Sequence, residues 1–512
     1  MLSRRWCIAM MKLQDNNSSS ISFELSDDQN AALQLMLNGK SVFLTGSAGT
    51  GKTSVIRAFR EKYQGNCAVV APTGIAALNV EGQTIHSFFM LPPCLLVPEN
   101  IDRIPWPRKR EIIRQVDCLI IDEISMVRSD MFVAIDRRMR ECASKKGRNL
   151  PFGGKQVIVC GDFFQLPPVV ANEVEEQWLE ANLGGEYAFQ TKLWEAMNFN
   201  VVSLSDPFRQ KSDATFVKML NDVRHGNVVC RKTYENGVEE SPIEALNSRC
   251  AIEKKMASYP IRLCTTNREA QMVNNNERAK IQSDPIKFVA IVKGKFNEQD
   301  YPTEAELILK VGCRVMVLKN CRHPKGGFIY VNGDCGEVTA MDADGELSRV
   351  KVKLDNGNEV WIHCNEWKNM KYVVELDAFS GKKIIRQDEI GSFVQLPLRL
   401  AYATTIHKSQ GMTLDNVDIR LGNGCFAHGQ LYTALSRART LSGLHLERPI
   451  FAEDLILDDR VVDFYNALEY DPFEQMCQQT KTLDVPVDCY DKVKEMLEQM
   501  KREKQVSVSQ TV

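Results

Sequence analysis

Residues Gly46, Ser47, Ala48, Gly49, Thr50, Gly51, Lys52 and Thr53 fit the pattern G-x-x-x-x-G-K-[ST]. The glycines allow a tight loop whose backbone N–H groups point at phosphate oxygens. A helix that starts at the end of such a loop presents its positive terminus to the same anion. Lys52 can bridge a β- and a γ-phosphate, and Thr53 can hold Mg²⁺ through its hydroxyl. Ser54 completes the set expected to face the nucleotide. The pattern needs a strand before it and a helix after it. Ser41–Thr45 is an apolar run, and Gly51–Lys62 reads as a helix. The chemistry indicated is binding and hydrolysis of ATP with Mg²⁺.

Hydrolysis needs a metal ligand and a base. The run Leu119, Ile120, Ile121 ends in Asp122 and Glu123. Two carboxylates at the end of a buried strand are costly unless a cation neutralises them. Asp122 is expected in the Mg²⁺ shell, and Glu123 is expected to orient and deprotonate the attacking water. Gln165, in Gly161-Asp162-Phe163-Phe164-Gln165-Leu166-Pro167-Pro168, follows another apolar run and can sense the γ-phosphate or that water. Arg209 and Arg437 lie far along the chain. An arginine brought to the γ-phosphate stabilises developing charge and ties hydrolysis to closure of two lobes. Both are taken as finger arginines.

These groups need a scaffold. Ser41–Thr45, Cys67–Ala71, Cys118–Asp122 and Gln156–Cys160 are nearly all apolar rather than alternating, as parallel strands covered on both faces are. Helical segments separate them, so the fold class is α/β with a parallel sheet. A second α/β pattern follows: strand Ile261–Thr265, helix Arg268–Lys280, strand Val417–Leu421 and helix Gly429–Arg437. Between its halves lie the short strands Val315–Leu318, Gly336–Ala340, Arg349–Leu354 and Glu359–His363. Turn signals such as Asn332-Gly333-Asp334 and Asp355-Asn356-Gly357 separate them. The expected organisation is a leader (1–20), a first lobe (21–200) and a second lobe in two parts (201–314 and 394–450). A small all-β insert (315–393) divides that second lobe, and a helical tail (451–512) follows it.

The net charge of −2 gives no electrostatic footprint of a nucleic-acid partner. Two local clusters are candidates: Arg103, Arg108, Lys109, Arg110 and Arg114, then Arg137, Arg138, Arg140, Lys145, Lys146 and Arg148. Solvated helix faces would explain them equally. The 16 cysteines are scattered without a C-x-x-C pair, which argues against zinc or thioredoxin-like chemistry and for reduced thiols. No apolar run approaches the roughly 18–20 residues of a membrane helix. The first 20 residues read as a disordered leader, with a weak targeting peptide as the alternative.

The ordered set of motifs resembles the PIF-type DNA helicases, in the PIF/RecD branch of helicase superfamily one. It runs from Gln29 through the phosphate loop to Ala71-Pro72-Thr73-Gly74 and Gly82-Gln83-Thr84-Ile85-His86-Ser87-Phe88-Phe89. Asp122-Glu123-Ile124-Ser125-Met126 and Gly161–Pro168 follow. Tyr402–Thr405 with Ile406-His407-Lys408-Ser409-Gln410-Gly411, and Tyr432–Ala438, close it. The resemblance covers about residues 25 to 446. It implies two RecA-like parallel-sheet P-loop lobes with ATP between them, and a small β-barrel insert in the second. It implies a contact of Gln29 with adenine, nucleotide contacts by Gln410 and Gly411, and 5′ to 3′ translocation on single-stranded DNA. Thr73, Gly74, His86, Phe88, His407 and Lys408 would line the DNA path. Phe88 and Phe89 offer either a stacking face for bases or core packing. The strand-separating element would fall in Met90–Arg108, a stiff stretch with Pro92, Pro93, Pro98, Pro105, Trp106 and Pro107.

The expected partners are single-stranded and forked duplex DNA, with G-quadruplexes and RNA–DNA hybrids as further substrates. The expected state is a monomer, alone or with replication or repair proteins, away from membranes. It would sit in a nucleoid for a bacterial or viral source, in a nucleus or mitochondrion for a eukaryotic one, and not be secreted. Two alternatives stand beside this. One is a DNA-stimulated translocase subunit of a recombination or nuclease complex without unwinding of its own. The other is a P-loop kinase or nucleotide switch that ignores DNA.

Overall fold

The apolar runs of the first 200 residues become neighbours in one sheet. In the computed structural model β1 (Val42–Gly46), β2 (Cys67–Ala71), β3 (Gln83–Thr84), β4 (Cys118–Ile121), β5 (Gln156–Cys160) and β6 (Asn200–Leu204) pair in the order β3-β2-β4-β5-β1-β6. Every pairing is parallel. The structure describes residues 25–469, apart from 99–100, 102–103, 105, 206–209, 211–212, 229–231, 234–238, 251–259, 323–327, 377–382 and 423. The expected leader lies outside the described residues.

Val42, Phe43, Leu44, Ile120 and Ile158 are fully buried because helices cover the sheet. Ala32, Leu33 and Met36 of helix Asp27–Leu37 meet Val55, Ile56 and Phe59 of helix Lys52–Lys62 over β1, β4 and β5. Parallel strands leave one edge of the sheet where all their C-terminal loops gather, and ligands of open α/β sheets bind there. That edge carries Gly46, Asp122 and Gly161.

The second lobe has its own parallel sheet. Its order is Ala403–Thr405, Ile261–Cys264, Val417–Ile419, Leu444–Leu446. The two outer strands are three residues long and were not expected. The insert is antiparallel. Glu359–His363, Arg349–Leu354, Cys335–Asp342, Arg314–Val317 and Leu398–Leu400 form an open five-stranded sheet around Val315, Val338, Val350, Val352 and Ile362. The anticipated closed barrel is not formed among the described residues: Glu359–His363 and Leu398–Leu400 are two free edges of that sheet.

A long hairpin, Asn365–Leu376 with Lys383–Gln395, extends from the insert. It docks on the first lobe. Tyr372 Oη accepts from the Val69 N–H at 3.0 Å, and Gln387 Nε2 donates to the Glu81 carbonyl at 3.0 Å. Gln83 Nε2 donates to the Met370 carbonyl. Residues 458–512 form a separate unit, whose described part is helix Asp459–Glu469.

Candidate nucleotide site and nucleic-acid path

β1 delivers the phosphate loop. Gly46 leaves the strand with φ +139°, and a Cβ there would meet the Leu204 carbonyl oxygen of β6 at 2.5 Å. Gly51 turns into the helix at φ +81°, a conformation glycine adopts without steric cost. Lys52 folds back, and its Nζ donates to the carbonyls of Gly46 (2.8 Å) and Ser47 (3.0 Å). Gln29 is buried behind the loop, where its Nε2 donates to the Thr50 carbonyl at 3.0 Å and its Oε1 accepts from the Ser26 N–H at 3.1 Å. Thr53 and Ser54 open the helix that follows.

Asp122 is buried at the end of β4, anchored by its N–H to the Val70 carbonyl at 2.9 Å. Burial pushes its carboxyl above the ordinary value, while hydrogen bonds and the Lys52 charge pull the other way. Glu123 takes the left-handed conformation at φ +51°, unusual for a side chain with a Cβ. Burial and then the neighbouring Asp122 raise its pKa to about 7, against the opposing charges of Lys52 and Arg437. A buried acidic pair whose carboxyls are driven upward suits a divalent cation. The donors are hard oxygens, the Thr53 hydroxyl and the Asp122 carboxylate. Mg²⁺ is commonly held by such a sparse set together with phosphates and water rather than by a full protein cage. Among the described residues no cage of three or more His, Cys, Asp or Glu exists.

The second lobe reaches the same edge. Arg437 is 1% exposed. Its Nε donates to the Thr433 carbonyl (2.9 Å), Nη1 to the Ser409 carbonyl (3.2 Å) and Nη2 to Ser436 Oγ (2.7 Å). No carboxylate forms an ion pair with it among the described residues. Burial lowers its pKa to about 10, with Tyr432, Glu123 and Asp162 acting oppositely. Gln410 Nε2 is buried without a protein acceptor, and Gly411 beside it has φ +76°. Arg209 lies outside the described residues. Its neighbour Gln210 is buried and donates to the carbonyls of Ser436 (3.2 Å) and Ala438 (3.1 Å), which flank Arg437.

Gln165 bonds Asp162 Oδ2 through Nε2 at 3.4 Å. The loop around it is gripped from the second lobe by residues that sequence gave no role. Arg224 pairs with Asp162 at 3.0 Å, and His428 Nε2 donates to the Phe163 carbonyl at 2.9 Å. At Gly429 (φ +64°) a Cβ would sit 2.2 Å from the Phe164 carbonyl oxygen. Tyr432 touches the phosphate loop itself, with its Oη accepting from the Ala48 N–H at 3.0 Å. No local signal marks Arg224 or His428, because their partners are distant in sequence. Tyr432 lay inside a recognised motif, where only its arginine was given a task.

The expected DNA path is partly covered. Thr73 caps helix Gly74–Asn79, with Oγ1 accepting from the Ala76 N–H at 3.2 Å. Asp300 stands against Gly74, its carboxylate 2.6 Å from where a Cβ would be. His86 Nδ1 bonds the Leu91 carbonyl at 3.2 Å. Phe88 is fully buried, edge-on to Phe89 (4.8 Å) and to Tyr372 of the hairpin (5.3 Å), so in this arrangement it packs and offers no face to a base. His407 is half-buried, and burial lowers its pKa; Lys408 is exposed. Most of the two basic clusters is exposed (Arg108, Arg114, Arg137, Lys145, Lys146 and Arg148), whereas Arg138 meets Glu141, Arg140 meets Asp136, and Lys109 Nζ donates to the Ser87 and Phe88 carbonyls. Of the proline-rich stretch, Pro107 begins helix Pro107–Gln115 and Trp106 is 61% exposed.

Comparison with known proteins adds a second line. Residues 24–234 match the family model of PIF1-like helicases. The ATP-dependent DNA helicase Pif1 of Bdellovibrio bacteriovorus is 34% identical over 467 residues, 87% of this chain and 92% of that protein. The chain belongs to the PIF1-like helicases. Human ATP-dependent DNA helicase PIF1 is 33% identical over 479 residues, covering 91% of this chain. The chain spans 66% of the human protein's length and 65% of the mouse protein's. Among solved PIF1-like structures, Bacteroides sp Pif1 in complex with ADP-AlF4 shares 33% identity over 88% of this chain and 98% of its own, with a TM-score of 0.75. The same Bacteroides protein bound to single-stranded DNA gives 0.60 over the same shares, at 33% identity.

Proposed function

We propose that this chain is an ATP-dependent DNA helicase that moves 5′ to 3′ along single-stranded DNA and opens duplex ahead of it. One observation carries the reading. The Gln430–Leu435 helix of the second lobe puts Tyr432 on the phosphate loop of the first and holds Arg437, just beyond its end, in the field of Glu123. A nucleotide bound there is shared by both lobes, so its hydrolysis changes how they meet.

Each side chain then has a task. The loop amides and Lys52 hold the phosphates, and Lys52 exchanges its two carbonyl partners for phosphate oxygens. Thr53 and Asp122 would hold Mg²⁺, which would supply charge stabilisation at the phosphates. Glu123, unprotonated, orients and deprotonates water. Gln165 reports the γ-phosphate to the loop held by Arg224 and His428. Arg437 and Arg209 neutralise charge that develops as the phosphoryl group transfers. Gln29, Gln410 and Gly411 border the nucleotide.

Thr73, Gly74, His86, His407 and Lys408 are proposed to meet the phosphate backbone, which fixes register without reading sequence. Support comes from Bacteroides Pif1, solved with single-stranded DNA and at forked double-stranded DNA. The likeness to the DNA-bound form is lower, and here the hairpin packs on Val69, Glu81, Gln83 and Phe88 of the first lobe. Quadruplexes and RNA–DNA hybrids belong to the same proposal as substrates, and a DNA-holding compartment as location.

The test is strand displacement on 5′-tailed, 3′-tailed and hybrid duplexes. Unwinding of the 5′-tailed DNA duplex and of the hybrid, but not of the 3′-tailed duplex, is expected. DNA-stimulated ATPase without displacement would instead favour a translocase subunit, and ATPase indifferent to DNA a nucleotide switch.

A further inference from the structure

Tyr432 is 2% exposed and lies five residues before Arg437. Its hydroxyl accepts the Ala48 N–H, which uses one lone pair. A phenol also has a proton to donate. Among the described residues no acceptor lies within hydrogen-bond distance of it. The hydroxyl is partnered as an acceptor, so its donor half is what remains to be placed. Tyr432 lines a small cavity with polar (Ser47, Gln210, Asn221, Ser436) and apolar (Val217, Leu220) neighbours. Phenylalanine would fill the same volume but would leave the Ala48 N–H without its acceptor.

The neighbourhood indicates an anion. Lys52 Nζ rests on the Gly46 and Ser47 carbonyls, one residue from Ala48. That lysine is the group that reaches the β- and γ-phosphates, so Ala48 stands at the γ end of the loop. Arg437, also from the second lobe and without a carboxylate ion pair among the described residues, is close enough to act on Tyr432 electrostatically. The charges that act on Tyr432 are Asp162, Arg224 and Arg437; Asp162 is paired with Arg224, which leaves Arg437 as the cation able to share an anion with the hydroxyl.

We propose that the Tyr432 hydroxyl donates its proton in a hydrogen bond to a γ-phosphate oxygen of ATP, making Tyr432 a second γ-phosphate contact from the lobe that carries Arg437. No bond is made or broken at Tyr432; it distinguishes ATP from ADP and holds its helix against the loop while the γ-phosphate is present. The inference rests on the ATP-site reading above.

The test compares Tyr432→Phe with wild type for binding of a non-hydrolysable ATP analogue and of ADP, and for ATP turnover on single-stranded DNA. The variant should bind the analogue about tenfold more weakly, as expected for one hydrogen bond to a charged group, with ADP affinity falling by much less and the melting temperature dropping a few degrees because the Ala48 N–H loses its acceptor. Turnover should fall on the order of 10²-fold, as when one transition-state donor is removed. In an Arg437→Ala background the same change should cost much less, because the two donors act on one group. Equal losses for analogue and ADP, or wild-type discrimination between them, would overturn the role of Tyr432. A wild-type chain that binds neither nucleotide would overturn the site itself, and this inference with it.

Discussion

Arg224 Nη2 lies 3.0 Å from Asp162 Oδ1, and its guanidinium sits 4.4 Å above the Phe164 ring, so a second-lobe helix holds the loop after β5 by charge and by stacking. Asp162 is fully buried and Arg224 nearly so. Removing one partner of such a pair leaves the other charge stranded, at a cost of about 3–5 kcal/mol. Arg224→Met is therefore expected to lose about that much in urea unfolding followed at the tryptophans.

The same pair predicts a pH dependence. Burial alone would raise the Asp162 carboxyl, but Arg224, Lys52 and the hydrogen bonds outweigh it and hold it below the usual 3.8. A depressed carboxyl stabilises the fold fully above its unfolded value, and that contribution is lost as pH falls through the folded value. The stability gap between wild type and Asp162→Asn should be flat from pH 7 to about 5 and narrow below 3.8. A gap unchanged down to pH 3 would remove the charge pair from the account.

Lys52→Ala should abolish ATP hydrolysis and leave the fold intact, because among the described residues Lys52 Nζ bonds two loop carbonyls and no side chain. The checks are phosphate release and the melting temperature, which should move by no more than a few degrees.

Asp300 places a carboxylate against Gly74, where a DNA phosphate is proposed. Asp300→Asn should tighten binding of a single-stranded oligonucleotide several-fold at low salt, with the gain shrinking as salt screens it. Fluorescence anisotropy at two salt concentrations reads this, and an unchanged affinity at both would place the phosphate elsewhere.

Legibility followed the physics of each element. Cys67–Ala71 and Gln156–Cys160 match their expected limits, because a parallel strand covered on both faces is a continuous apolar run. Ala403–Thr405 and Leu444–Leu446 are three residues long, too short to show a period. The hairpin escaped notice because Glu366, Lys368, Lys371 and Glu375 keep Asn365–Leu376 polar. Phe88 shows the limit for sites: an aromatic in a motif packs or stacks according to what lies across from it, and Tyr372 is 284 positions away. The phosphate loop and Asp122-Glu123 were legible since strand, turn and helix are contiguous there. Tyr432, which meets the phosphate loop, and Arg224 and His428, which meet the loop after β5, come from the other lobe, where only folding reveals the contact.

The most direct measurement is single-turnover ATP hydrolysis by Arg437→Ala, with ATP binding measured on the same preparation. Turnover roughly 10³- to 10⁵-fold below wild type, with ATP affinity changed by less than about tenfold, is the expected result. Near-normal turnover would mean that the second lobe does not act on the nucleotide held by the first.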